Sequence, residues 1–171
     1  EFRRVLFRSR AVKNASAMIR SAKKGVVLTG AGISTPSGIP DFRTPGEGLW
    51  SKYNPMEVAS LSAFRYQPEK FLDWFHPLAI KIFRALPNPA HLALVDMEIA
   101  GYLQAIITQN IDGLHQRAGS NAVIEVHGTL KSLSCIGCFT NYPSDGFISP
   151  YIEDRKSTRL NSSHMSESRM P

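Results

Sequence analysis

Long apolar runs are missing from this 171-residue chain, and none approaches the roughly 20 residues that a membrane-spanning helix needs. That excludes a membrane-spanning helix as the chain's setting. The opening decapeptide, Glu1 to Arg10, lacks an initiator methionine and any apolar segment long enough for a secretory signal. A cytoplasmic location is the default expectation, with an Arg-rich transit peptide as the alternative. Cysteine is scarce: Cys135 and Cys138 are the only two. A structural zinc ion wants four tetrahedral ligands, usually as two such pairs. No second pair exists, and no ligand pattern places His115 or His164, so a complete site within the chain is not expected. Two thiols alone suit half a metal site, a redox pair or unliganded side chains. A concentrated basic face is also lacking. Of the formal +6, residues 1–10 hold +3 and residues 151–171 hold +1, which leaves +2 for the long span between them. Neither nucleic acid nor an anionic membrane is an expected partner.

What is present reads as α/β. The length suits one domain with a buried core. Ala11 to Lys24 places Val12, Ala15, Met18, Ile19 and Ala22 on one helical face, with Gly25 as a stop. Val26 to Thr29 is a first buried strand. Glu57 to Ser62 reads as a short helix. Pro68 to Leu86 has helical spacing that Pro77 must kink or split. Asn88 and Pro89 form a cap and first-turn proline, opening a helix that breaks at Gly101. His91, in its first turn, is assigned no chemistry. Leu103 to Thr108 and Ala122 to Val126 read as two further strands. Alternating helices and apolar strands imply a parallel sheet.

Each strand ends in polar residues. The first runs into Gly30-Ala31-Gly32-Ile33-Ser34, then Ser37-Gly38-Ile39-Pro40-Asp41-Phe42-Arg43. Glycine brings the main chain close to phosphate oxygens, so this turn is a candidate pyrophosphate cradle. Thr35 stands where a dinucleotide fingerprint wants its third glycine, so the turn alone is a weak signal. Asp41, Phe42 and Arg43 add a carboxylate, a ring and a guanidinium in one loop. A surface turn with an Asp-Arg pair is the plainer reading. The second strand ends in Thr108-Gln109-Asn110-Ile111-Asp112-Gly113, and the third in Val126-His127-Gly128. Polar groups at the carboxyl ends of parallel strands converge on one crevice.

In order and separation, these clusters resemble those of the sirtuin family, the NAD-dependent protein lysine deacylases. The resemblance runs from about Gly25 to about Cys138. It implies a Rossmann-like parallel sheet with helices on both faces, followed by the start of a small zinc-binding module, the whole incomplete. It divides the chain into a non-domain terminus (1–10), a partial NAD-binding and catalytic domain (11–134), a partial zinc module (135–150) and a disordered tail (151–171). NAD is the implied co-substrate. Gly30, Ala31, Gly32, Ser34 and Arg43 are implied to hold its phosphates and nearby sugar, and Asp41, Phe42, Ile111 and Asp112 to shape the nicotinamide pocket. Gln109 and Asn110 are implied to bind the ribose and order water, and His127 to act as general base. Imidazole suits that task because its reference pKa is about 6.5. Cys135 and Cys138 match half of the family's structural zinc site.

The resemblance further implies an acylated protein lysine as partner. Phe75 and Leu78 stand at the two positions where relatives that prefer acidic acyl groups carry Tyr and Arg. Neither pairs with an anion, so acetyl or an apolar acyl group is expected. Two rival functions remain: an NAD-consuming ADP-ribosyltransferase or NAD hydrolase, and a non-catalytic NAD-binding module. Both ends of the chain resemble translated adapter sequence, so a natural frame cut at both ends is expected, with an unpaired apolar sheet edge and little or no activity.

Overall fold

The computed structural model describes residues 2–42, 44–46 and 48–153, with side chains from Arg10 onward. Helix α1 spans Phe2–Ser21 and is followed by strand β1, Val26–Thr29. Helices α2 (Pro55–Val58), α3 (Leu61–Tyr66), α4 (Pro68–Arg84) and α5 (Pro89–Ile99) come next. Strand β2 (Ala105–Thr108), helix α6 (Leu114–Ala118) and strand β3 (Val123–Glu125) complete a β-α-β run. A hairpin of β4 (Ser132–Ser134) and β5 (Asn141–Pro143) leads to α7, Asp145–Glu153.

The described chain gathers into two units, the first from residues up to Ile33 and Leu86–Gly128, the second from Ser34–Ala85 and the residues after Gly128. The first holds the Rossmann-like parallel sheet, ordered β1-β2-β3. Its register aligns Val26 with Ala105 and Thr29 with Thr108, and Ile106 with Val123. Successive strand residues face opposite ways, and the two faces differ. Thr29, Ile106 and Thr108 are buried, whereas Val26, Leu28 and Ile124 are exposed. Ile106 and Leu114 are fully enclosed. The second unit packs α2, α3 and α7 around α4, burying Val58, Ala63, Leu78, Ala79, Ile82 and Ile148.

Several local expectations are corrected. Helix α1 begins nine residues before Ala11 and ends at Ser21. Gly25 does not cap it. A Cβ at Gly25 would lie 2.1 Å from the Tyr102 carbonyl oxygen, so its glycine is demanded by close backbone approach, and its own carbonyl accepts from the Gln104 amide at 2.9 Å. The single helix expected at 57–62 is two, because the Ser60 hydroxyl accepts from the Ala63 amide at 3.0 Å and caps a new one. Pro77 does not split α4, which runs on to Arg84. Helix α7 continues through Glu153, three residues into the stretch expected to be disordered; the remainder of that tail, 154–171, lies outside the described residues. The Asn88-Pro89 helix start holds as expected, with the Asn88 side chain accepting from the Ala90 amide at 2.9 Å.

Candidate active site

Three strand tips meet in the first unit. After β1, the chain turns through Gly30 into a 3-10 turn, Ala31–Ile33, closed by Ile33 N–H to the Gly30 carbonyl at 3.1 Å. After β2, Asn110 is buried and donates from Nδ2 to the same Gly30 carbonyl at 3.1 Å. Its own amide donates to Thr108 Oγ1 at 3.0 Å, which fixes the side chain's approach. The Gln109 amide donates to the Thr29 carbonyl at 3.0 Å, carrying the β1-β2 ladder to its end. After β3, the exposed His127 places Nδ1 3.1 Å from the Gln109 carbonyl.

That last bond assigns a tautomer. A carbonyl only accepts, so Nδ1 carries the proton and the neutral ring has its lone pair at Nε2. His127 is thereby arranged as a base at Nε2. Gly128 follows at φ 86°, a left-handed conformation that suits glycine.

The glycine turn fits a phosphate group. A Cβ at Gly32 would meet nothing within 4 Å, and one at Gly30 would first meet Gln109 Oε1 at 4.0 Å. No side chain covers the backbone at these two glycines, which leaves room for a ligand to come close to the main chain. Asp112 turns toward α6, accepting the Leu114 amide at 2.9 Å. Gly113, at φ 66°, makes the sharp entry to that helix. Ile111 and Asp112 are half-buried.

The remaining expected residues belong to the second unit. Ser34 is fully buried, and its carbonyl accepts from the Ser37 and Ile39 amides at 3.0 and 3.4 Å. Asp41 folds onto its own loop, accepting the Thr44 amide at 2.9 Å and the Thr44 hydroxyl. Phe42 stacks on Trp50 at 5.1 Å, and Trp50 on Trp74 at 5.9 Å. Phe75 continues this aromatic column to Tyr151 at 6.3 Å. The Tyr151 hydroxyl donates to the Leu72 carbonyl at 2.5 Å. Burial and the nearby Asp73 carboxylate push its pKa up, so the phenol stays a donor. Arg43 lies outside the described residues.

Cys135 and Cys138 sit in the β4-β5 turn, Cys135 half-buried and Cys138 exposed. Cys135 Sγ accepts the Gly137 amide at 3.4 Å, and Cys138 Sγ lies 3.2 Å from Thr140 Oγ1. Hydrogen bonding from Thr140 lowers the Cys138 thiol's pKa. Among the described residues no group of three or more His, Cys, Asp or Glu is placed to hold a metal ion. Two thiols alone do not complete a tetrahedral shell.

Residues that the sequence reading passed over support the turn from behind. Asn88 Nδ2 donates to the Ile33 carbonyl at 2.8 Å. Thr29 Oγ1 lies 2.9 Å from His115 Nε2. The Asn88 cap was legible in sequence, but no local signal announces its second bond.

Comparison with known proteins agrees with this geometry. Residues 30–163 match the Sir2 family. NAD-dependent protein deacylase 2 of Archaeoglobus fulgidus is 46% identical over 140 residues, covering 82% of this chain and 54% of that protein. The NAD-dependent protein deacetylase of Sulfurisphaera tokodaii is 48% identical over 128 residues, covering 75% and 50%. Among solved structures, a mutant Sir2 homologue in complex with ADP-ribose superposes with a TM-score of 0.70 at 46% identity, over 73% of this chain and 50% of that one. A complex of Sir2, p53 peptide and NAD+ gives 0.69 at 38%, over 83% and 56%. The chain thus spans about half the length of the curated relatives it matches. On a match that takes in the glycine turn, both later strand tips and the cysteine pair, the chain belongs to the Sir2 family, the sirtuins.

Proposed function

We propose that the protein, in the cytoplasm, removes acetyl or apolar acyl groups from lysines of a protein substrate, with NAD as co-substrate, and releases nicotinamide and O-acyl-ADP-ribose. One observation carries this reading: hydrogen bonds join the tips of three parallel strands, Asn110 to Gly30 and His127 to Gln109, at the edge where α/β sheets bind ligands. The relatives' names and the ADP-ribose and NAD+ complexes support it.

The side-chain-free backbone of the Gly30-Ala31-Gly32 turn lies against the pyrophosphate, with Ser34 and Arg43 assisting. Bound NAD supplies a glycosidic bond whose nicotinamide leaves as a neutral group. Asn110 and Gln109 hold the ribose and order water, and Asp41, Phe42, Ile111 and Asp112 enclose the nicotinamide. His127 Nε2 takes a proton from a ribose hydroxyl, a step that general-base catalysis accelerates by about 10²–10⁴. The p53 peptide complex supports a polypeptide substrate. Cys135 and Cys138 would supply two of the four ligands of a structural zinc site.

The test uses the protein expressed from its uninterrupted gene, an acetyl-lysine peptide and NAD. Mass spectrometry should show loss of the acetyl group with equimolar nicotinamide. His127→Ala should abolish turnover while calorimetry still detects NAD. Gain of ADP-ribose mass by the peptide would favour the transferase, nicotinamide release without acyl loss the hydrolase, and NAD binding with no release the non-catalytic module.

A further inference from the structure

Two imidazoles lie inside the first unit, and the proposed chemistry uses neither. His91, in the first turn of α5, and His115, in α6, are both buried, with ring centroids 4.9 Å apart. Each leads to one end of the glycine turn. At its start, His115 Nε2 lies 2.9 Å from Oγ1 of Thr29, the residue before Gly30. At its end, the Asn88 amide donates to His91 Nδ1 at 3.3 Å, and Asn88 Nδ2 donates to the Ile33 carbonyl.

An amide N–H only donates, so His91 Nδ1 must keep its lone pair, and the neutral ring carries its proton at Nε2. Protonation removes that lone pair. The Asn88 amide then faces an N–H, and the helix cap that orients Asn88 toward Ile33 is opposed. The ring nitrogens left without a partner are His91 Nε2 and His115 Nδ1, one on each of the paired rings. Two imidazolium ions at this separation repel in a site closed to water.

The surrounding charges do not cancel two protons. Asp112, between β2 and α6, is the carboxylate that acts on both rings. Helix α6 adds Arg117, of the wrong sign, and β1 and β2 carry no charged residue. At the far end of α5, Glu98 accepts the Asn121 and Ala122 amides. Burial, and for His115 the neighbouring His91, holds both imidazoles below their usual pKa against the opposing pull of Asp112. Neutral rings therefore prevail at neutral pH.

The geometry points to His91 and His115 as positioning residues behind the glycine turn: His91 accepts the Asn88 amide, and through Asn88 holds the Ile33 end, only while neutral, and a proton on His115 sets two buried cations against each other, so that order in the turn is acid-sensitive. This goes beyond the proposed reaction and does not depend on NAD being the ligand.

Hydrogen exchange followed by mass spectrometry on the ligand-free chain, from about pH 7.5 to about pH 5.5, tests it. After correction for intrinsic rates, exchange in the Thr29–Ile33 segment should rise below about pH 6.5 by up to about ten-fold per pH unit for each ring that takes a proton. The α4 segment should keep its protection. His115→Gln, which still offers Thr29 a neutral hydrogen bond, should keep the turn protected at about pH 7.5 and weaken the acid response at least about three-fold. Thr29→Val, which removes the partner and leaves the ring, should raise turn exchange at every pH. The inference is overturned by a turn whose protection is flat with pH, by an unaltered acid response in His115→Gln, or by α4 losing protection in step with the turn.

Discussion

Replacing Leu28 and Ile124 with lysine should convert a self-associating chain into a monomer. The sheet register puts Leu28, Ile107 and Ile124 in one row across the three strands. Leu28 is 68% exposed and Ile124 53%, and two positions along on the same face Val26 and Val126 are 56% and 51% exposed. Fully burying such a side chain contributes about 1.5–3 kcal/mol. At half to two-thirds exposure, roughly 1–2 kcal/mol per residue is still to be gained, or about 4–7 kcal/mol for the four. A micromolar complex needs about 8 kcal/mol. On that scale burial of this face alone corresponds to association between roughly ten micromolar and one millimolar, and β1 and β3, the outer strands of the described sheet, add unpaired backbone groups. Light scattering should show the mean mass of the natural chain rising with concentration across that range. The Leu28→Lys/Ile124→Lys chain should stay monomeric, with a urea midpoint little changed, because both side chains are already in water. Equal association of the two chains would refute the reasoning, as would a natural chain that stays monomeric throughout.

Asn88→Ala should lower the unfolding free energy by about 2–4 kcal/mol in urea titration, combining a lost cap of about 1 kcal/mol with the orphaned Ile33 carbonyl at about 1–3 kcal/mol; a change under about 0.5 kcal/mol would show that neither bond matters. The two buried histidines set an acid limit on stability. Their folded pKa values lie below the unfolded one, so below about pH 6.5 the unfolded chain binds more protons, and stability should fall by at most about 1.4 kcal/mol per pH unit for each ring until the folded pKa is reached. Above that pH this contribution is flat, and urea midpoints at several pH values check both limbs. Titration of the chain with cobalt(II) should yield the absorption of two thiolate ligands, abolished by Cys138→Ser; a four-thiolate tetrahedral spectrum from the monomer would contradict a half site.

The strand tips were legible because apolar runs of four residues end abruptly in glycine or polar side chains, and that boundary is local. The same holds for Asn88-Pro89, where cap and proline are adjacent. Gly25 was misread for the opposite reason: its glycine answers to Tyr102, far along the chain, and nothing in residues 20–30 encodes that contact. The break at Ser60 was lost because a capping serine inside a short apolar stretch looks like any helical serine. His91 and His115 stand 24 positions apart in the sequence. Only the folded α5-α6 packing makes them a pair, and each alone reads as an ordinary buried histidine.

A main-chain hydrogen bond, Ile33 N–H to the Gly30 carbonyl, closes the glycine turn from within. Glycine makes the turn costly to order, since Gly30 and Gly32 bring no side chain to pack and lose more backbone entropy on ordering than other residues. The structure resolves this through the carbonyls. Asn110 takes the Gly30 carbonyl, and Asn88 takes that of Ile33, both by carboxamide donors from behind the turn. Each carboxamide is oriented in its own right, Asn110 by Thr108 Oγ1 at its amide, Asn88 by capping α5. Aspartate at either position would preserve the acceptor role and lose the donor, which is why holding these two carbonyls requires the amide-bearing residue and not merely a polar one.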